Sequence, residues 1–556
     1  MLRVYKYLRD AAHHTDIGLT KLEIDVIDTL EFQRLRGIKQ LGFAHLVYPD
    51  AVHTRFNHSL GVLHMLEKMI INLENSEFIV FPKDKDAHQA IRLYALLHDI
   101  THIPFGHTLE DEANIFLPHD KGPRVAHFWE SFVEKRVPKT FLPDLKKMLL
   151  PDQTMDRNKV FWNDLVGNTI CADLLDYIRR DMYYTGLKMD FDERMFRYFC
   201  LHRDAKGSQR FAIRLVKEDK WRIDVVSEIL NILRMRYSLA EKVYYHHAKC
   251  AASSMLAKAM WSILPDEVKK DKNKEIKALA KFEDNELLSF ILDEAISRKE
   301  KNAEELIRML KRRALYKPVF RITLDEASKK GPLADFVEPR RCPEKQRELE
   351  IEIEEAAKVK PGSVIIYCPS HKMSLKEAAV MVRWRGEVVY PLNEIKPHHY
   401  NEYVVKNQID NLQETYQALW NMYIFLHPQQ FHRAYWVEKA AAETLGVEND
   451  PLLVQALRKK DGYREALMLE KEISQLDLTE KAHEAMLNMT KTAYRGRKEE
   501  ETIKEAVRKA VAKVGQGVIE HAKEKPFSDV KAKKKKRRKK QSEGLFDKQE
   551  TDEQHG

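Results

Sequence analysis

The sequence predicts a mainly α protein, with a helical core, a small α+β lobe and a helical C-terminal extension. Three observations predict it. From about residue 24 to residue 262 the apolar side chains recur at three- and four-residue spacing, as at Val62, Met65, Leu66, Met69 and Ile70 and again at Leu93, Leu96 and Leu97, the period of one helix face. After Pro361-Gly362 the pattern changes to the β-branched run SVIIY (363–367), with EVVY (387–390) behind it, which reads as short strands. From 430 to about 525 the chain is rich in Ala, Glu and Lys, and such residues favour helix.

Taken in order, residues 1–262 form the helical core. Pro49, Pro104, Pro118 and Pro123 fall between its periodic stretches, where a missing amide hydrogen and a fixed φ end helices rather than interrupt them. Residues 263–345 extend that core, with LLSFILDEAI and AEELIRMLKRRAL as amphipathic pieces. Residues 346–430 make the α+β lobe, whose last part, 402–426, returns to helical periodicity and ends in YQALWNMYIFLH. Residues 431–525 are the helical C-terminal region. Residues 526–556 have almost nothing to bury and are expected to be disordered.

At 556 residues and 44% apolar, the chain can bury a substantial core. Its net charge of +9 is matched by the nine positive charges of KAKKKKRRKK at 531–540, the run that begins at Lys531 and ends at Lys540. The remaining residues balance to zero, so basicity gives no reason to read the folded body as a nucleic-acid binder. The tail itself could make nonspecific electrostatic contact with nucleic acid. Five widely spaced cysteines with no CxxC fit a reducing, cytoplasmic setting. No apolar stretch approaches the ~18 residues that span a bilayer, and the first residues lack a secretory apolar core.

The chemistry is concentrated in four pieces, RFNHSLG (55–61), LLHDITHIPFGHTLEDE (96–112), PHDKGPR (118–124) and CADLLDYIRRD (171–181). Adjacent His98-Asp99 is the anchor. Consecutive helical residues point about 100° apart, so both can reach an ion beyond the helix edge. The apolar YALL before them would bury the helix, and a buried carboxylate needs a compensating partner. An isolated His-Asp pair is more often structural, but seven histidines fall between His53 and His107. Asp173, Asp176 and Asp181 also lie on one predicted helix. Mixed imidazole and carboxylate ligands suit Mn, Fe, Ni or Zn better than Ca.

The segment IDTLEFQRLRGIKQLGFAHLVYPDAVHTRFNHSLG (27–61) resembles the amino-terminal signature of HD-superfamily deoxynucleoside triphosphate triphosphohydrolases. The resemblance is clear over roughly residues 1–260 and continues weakly to about 430; the SAM domain of the human family member is not expected here. It implies an HD-domain helical catalytic core. A distant His, an adjacent His-Asp and a distant Asp match His58, His98, Asp99 and Asp173, which would hold a divalent ion: Mn, Fe, Mg, Ni or Zn. Arg55, His102, His107, Tyr177, Asp181, Arg236 and Tyr244 resemble family positions that contact phosphate, sugar or the transferred proton, and Gln40-Leu41 resembles the element that packs on the sugar.

His102 and His107 are the proton-transfer candidates, with Glu110 and His119 as orienting partners of His102; His127 competes with His119 for that role. Tyr177 lies one turn from both Asp173 and Asp181 and shares their face. Arg234, Arg236, Tyr244, Tyr245, His246 and His247 in LRMRYSLAEKVYYHH form a basic and aromatic cluster; Arg236 and Tyr244 are favoured, whereas Tyr245 and His247 equally suit a solvated helix whose tyrosines pack inward. One departure concerns the substrate. The human motif places Lys after the metal-binding Asp, whereas this chain has Leu174, so a phosphate contact is missing.

The expected reaction is metal-dependent hydrolysis of a deoxynucleoside triphosphate to the deoxynucleoside and tripolyphosphate. The alternatives are a phosphodiesterase or phosphomonoesterase with the same site, and a nucleic-acid-binding scaffold acting through the tail. Asp28, Gln33 and Arg36 resemble residues that bind a regulatory nucleotide. Family precedent implies a homo-oligomer, and the lack of a long apolar stretch leads us to expect no membrane association.

Overall fold

A computed structural model of the chain describes residues 2–474 apart from 75–84, 151–152, 218–219, 275–276, 372, 374, 385–388 and 395–399, together with residues 484, 487, 488 and 491. The basic tail, and the part of the C-terminal helical region beyond 491, lie outside the described residues. The chain divides into two units, Met1–Leu457 and Arg458–Gly556, the second described chiefly by the helix Asp461–Ser474.

The mainly α fold is observed. The chain opens, however, with an antiparallel hairpin, Lys6–Asp10 paired to Thr15–Leu19. The helix Lys21–Ile27 follows under a capping box in which Thr20 and Glu23 satisfy each other's backbone amides. Glu23 is fully buried and also accepts from Arg92 (2.6 and 2.7 Å) and Gln89 (2.7 Å). This pairing ties the helix Lys21–Ile27 to the helix Lys85–Leu97, and Arg92 also donates to the Gly18 carbonyl of the hairpin at 2.9 Å.

The helices Arg55–Glu74, Lys85–Leu97 and Ala172–Thr185 pack together as the frame of the candidate site. Gly61 allows the closest approach. A Cβ there would sit 1.7 Å from Asp176 Oδ1 and 2.3 Å from an Arg180 nitrogen, so any side chain would push the first and third helices apart. Gly186 closes Ala172–Thr185 in the left-handed conformation, φ 72°. Pro123 begins the helix Pro123–Phe128, as its position between periodic stretches predicts.

Behind the site runs the small-residue-rich helix His247–Ile263. Ala251, Met255 and Ala259 share one buried cluster with Ile103, Phe105 and Leu109 of the histidine loop, so the loop is anchored by the core rather than left to solvent.

Besides the opening hairpin and the short pair Val216–Lys217 with Lys220–Trp221, the described residues form two larger sheets. Strand Asn421–Leu426 lies between Lys317–Thr323 and Val364–Tyr367, antiparallel to both. Phe199–Arg203 and Gln209–Arg214 form a hairpin; Gln209–Arg214 pairs in parallel with Met381–Arg383, which pairs antiparallel with Val389–Pro391. The segment 402–426, expected to be helical throughout, therefore divides into the helix Tyr400–Gln417 and a strand. A short continuous apolar run such as NMYIFL carries no period that separates strand from helix. Buried Glu350 and Glu354 on the helix Pro343–Ala357 accept from the Ile366 (3.0 Å) and Val364 (2.9 Å) amides, satisfying the strand-free side of the buried sheet edge. Among the described residues no helix is long and apolar enough to cross a membrane.

Candidate metal centre

His58 lies in the first turns of Arg55–Glu74 and Asp173 in the first turn of Ala172–Thr185, where the helix dipole favours a carboxylate. His98 and Asp99 lie just beyond Lys85–Leu97, in the turn that ends it, rather than inside the helix as expected. A turn frees both side chains to face one point. One donor atom from each of His58, His98 and Asp99 falls within 4.8 Å of the others. Asp173 Oδ1 stands 3.0 Å from His58 Nε2 and 3.9 Å from His98 Nε2.

The donors are prepared for a cation. His58 Nδ1 donates to Asp176 Oδ2 at 2.7 Å and His98 Nδ1 to the Ala95 carbonyl at 2.8 Å, which leaves each Nε2 turned inward. His98 Nε2 is buried and makes no hydrogen bond among the described residues. Burial opposes ionisation of Asp99, yet His98, His102 and Arg55 hold its carboxyl well below the usual range. Arg55 contacts it at 2.6 Å. Burial alone would lower His58, but Asp173 and Asp176 raise it to about 10, a measure of how strongly this pocket attracts positive charge. The residues thus fit a divalent metal.

A second triad shares Asp99: its donor atom, one from His102 and one from His119 also lie within 4.8 Å of one another. The His102 and His119 rings stack at 3.7 Å, and His102 Nε2 is 3.4 Å from Asp99 Oδ1. Thr101 donates to the His119 carbonyl at 2.7 Å, holding that loop against the His-Asp turn. His127 is exposed on Pro123–Phe128. Burial, with Arg55 and His119, pushes His102 well down. Glu110 stands 3.7 Å from His102 Nδ1 but pairs with Arg124 at 2.5 Å. His107 is half-exposed, bonded to Asp111 at 2.7 Å, with its ring 5.1 Å from that of His102. Between them Phe105 adopts φ 52° and stacks on Phe43 at 4.5 Å, so packing holds a backbone conformation a bulky residue rarely takes. A Cβ on Gly106 would come 2.8 Å from His102 Nδ1.

On the facing side, Arg236 lies over the rings of Tyr177 (5.4 Å) and Tyr244 (5.1 Å). Tyr244 ends the π-helical turn Ala240–Tyr244 and its hydroxyl donates to Asp181 at 2.6 Å. The other Asp181 oxygen accepts from His53 Nε2 at 2.9 Å. Asp181 is buried and already engaged. Gln40 and Leu41 are half-buried, and the Gln40 amide bonds the His53 carbonyl at 3.0 Å. Leu174 is core. Arg36 donates to Gln33 (2.8 Å) and lies over Phe56 at 3.5 Å, while Asp28 is 3.9 Å from Lys6.

Residues 55–131 match the HD domain family and residues 227–456 the HD associated region. The chain thus carries an HD domain followed by an HD associated region. Over 288 residues it is 31% identical to the uncharacterized protein MJ1154 of Methanocaldococcus jannaschii, covering 51% of this chain and 55% of that one. Over 279 residues it is 26% identical to the deoxynucleoside triphosphate triphosphohydrolase SAMHD1 of Homo sapiens, covering 44% and 43%. The chain spans about half the length of the curated relatives it matches. A solved phosphohydrolase from Bacteroides thetaiotaomicron superposes with a TM-score of 0.55 at 20% identity, over 76% of this chain and 100% of that one, a likeness of fold. The HD domain match contains His58, His98, Asp99 and the histidine loop, while Asp173 lies beyond it.

Sequence reasoning passed over several residues that shape the site: Arg124 behind Glu110, His53 behind Asp181, and the group His13, Asp10 and Arg180 around Asp176. Asp176 accepts from His13 Nε2 (2.6 Å), Arg180 (2.8 and 2.9 Å) and His58. Asp10 binds the same Arg180 at 2.8 Å. The available signal was the spacing of Asp173, Asp176 and Arg180 at three and four residues along one helix.

Proposed function

We propose that this HD-superfamily chain is a metal-dependent phosphohydrolase whose leading substrate is a deoxynucleoside triphosphate. The observation that carries the reading is the convergence of His58, His98, Asp99 and Asp173, with His102 and His119 stacked beside Asp99. The similarity to a human deoxynucleoside triphosphate triphosphohydrolase supports the substrate class.

A divalent ion held by the four ligands would lower the pKa of a water and offset phosphate charge. Arg55, 2.6 Å from Asp99, and Arg236, between two tyrosines, supply fixed positive charge to the triphosphate. Tyr177, Tyr244, Gln40 and Leu41 would border the sugar, with Asp181 holding Tyr244 in place. His102, kept neutral by burial and its cationic neighbours, is suited to accept a proton from the attacking water. Attack at the α-phosphorus breaks the bond to the nucleoside 5′-oxygen, and His107 or the His102–His119 stack delivers a proton to that departing oxygen. Glu110 and Arg124 fix the loop on which this stack depends.

Leu174, buried where a phosphate-binding lysine would otherwise stand, favours a second reading, a phosphodiesterase or phosphomonoesterase using the same centre. A product-resolved assay with all four dNTPs, NTPs and bis(p-nitrophenyl) phosphate separates the two. Tripolyphosphate and deoxynucleoside in equal amounts support the first; turnover of the diester alone supports the second. Asp28, Gln33 and Arg36 are proposed as a regulatory nucleotide site, and self-association as the assembly; a dNTP dependence of oligomer size would test both.

A further inference from the structure

The helix Ala172–Thr185 serves the metal centre with Asp173 and a second cavity with Arg179 and Tyr183. That cavity, of about 520 Å3, opens to solvent and is also lined by His13, His14, Lys188 and Glu193. None of these residues belongs to the proposed catalytic machinery. The size suits a small organic ligand.

Its lining is linked to the metal centre. The His13 side chain has no solvent exposure, and its Nε2 donates to Asp176 at 2.6 Å. The opposite oxygen of Asp176 accepts from Nδ1 of His58. His13 Nδ1 is buried without a hydrogen-bond partner among the described residues, so besides its packing on the His64 ring at 5.1 Å the imidazole is fixed by its bond to Asp176. Next to it His14 takes φ 51°, a conformation that stores strain in a residue other than glycine, and its ring meets Tyr183 edge-on at 5.6 Å.

The lining also selects by charge. Arg179 is held by Asp190 (2.9 Å) and Glu193 (2.6 Å), and Glu193 is further bound by Lys68 at 2.7 Å. Lys188, exposed at the rim, is the lining cation left for a ligand among the described residues. His14 and the exposed Tyr183 offer ring faces beside it.

We propose that this cavity binds a small organic anion carrying a planar ring, and that its occupancy is felt at the metal through His13, Asp176 and His58. A ligand seated on His14 and on the accessible backbone of His13 shifts the buried His13 imidazole that braces Asp176. Asp176 in turn orients His58, and such outer contacts set metal affinity. The coupling rests on the metal reading of His58, so Mn2+ binding to the ligand-free protein is measured first, and its absence overturns both.

Benzenesulfonate is a suitable probe because it has ring and charge and cannot be hydrolysed; methanesulfonate and benzyl alcohol supply each part alone. By calorimetry benzenesulfonate should bind more tightly than either, and Lys188→Glu or Tyr183→Ala should weaken it about tenfold. Saturating probe should shift the Mn2+ dissociation constant about fivefold or more, with the reciprocal shift in probe binding. His13→Gln should retain probe binding and lose that shift. Probe binding indifferent to Lys188→Glu, no better than that of its two parts, or without effect on Mn2+ affinity would overturn the proposal.

Discussion

His58 and Asp176 are joined by a 2.7 Å hydrogen bond from imidazole Nδ1 to carboxylate Oδ2, and both side chains are buried. Burial opposes the Asp176 charge, but Arg180, His13 and His58 hold its carboxyl well below the usual range. It is therefore an acceptor at any working pH and fixes which nitrogen of His58 faces the metal. Asp176→Asn keeps the shape and loses the charge. Calorimetric titration should show Mn2+ affinity reduced about 10- to 100-fold, and an unchanged affinity would remove Asp176 from this role.

Gly61 sets the distance between the helices that bear His58 and Asp173. Gly61→Ala would place a methyl group 1.7 Å from Asp176 Oδ1. Because backbone and a buried ion pair must both shift, urea unfolding should register a loss of about 3 kcal/mol. Mn2+ affinity should fall with it. A stable variant with full affinity would show that the helices are free to separate.

His119 and His127 offered the same sequence signal, but only His119 stacks on His102, at 3.7 Å. His119→Ala is expected to lower kcat by about 10²- to 10⁴-fold, whereas His127→Ala should leave the rate unchanged. The reverse ranking, measured on any substrate the protein turns over, would make His127 the partner of His102 instead.

Burial, with His13 and Lys68 nearby, pushes the His64 imidazole down to about 4 from its ordinary 6.5. The unfolded chain therefore binds this proton more readily than the folded protein. The resulting stability is present above pH 6.5 and is lost as pH falls towards 4. Between pH 7 and pH 5 the wild type should lose about 2 kcal/mol more than His64→Leu in urea unfolding. Equal losses would mean that His64 titrates as in the unfolded chain.

Much of the fold and part of the site could be read from local patterns. His98 and Asp99 stood out because they are adjacent and follow a buried apolar run, and the helices around them announced their period over many residues. The carboxylate helix was equally plain, since Asp173, Asp176 and Tyr177 repeat at helical spacing. By contrast, His13 is 163 residues from Asp176 in sequence, and only the opening hairpin brings it there. That hairpin is half-exposed and polar, so no apolar alternation marks it. Strand Asn421–Leu426 was hidden for the opposite reason, being apolar on both faces. The engagement of Asp181 by His53 and Tyr244 is likewise a tertiary fact, joining three segments that share no local pattern.

Equilibrium dialysis against Mn2+, with metal read by atomic absorption beside phosphohydrolase activity in the same samples, tests the central claim most directly. The account predicts stoichiometric Mn2+ on the wild type, with metal and activity lost together in His98→Ala and Asp99→Ala while thermal unfolding remains cooperative. A wild type that binds no ion, or an Asp99→Ala protein that keeps both ion and activity, would contradict it.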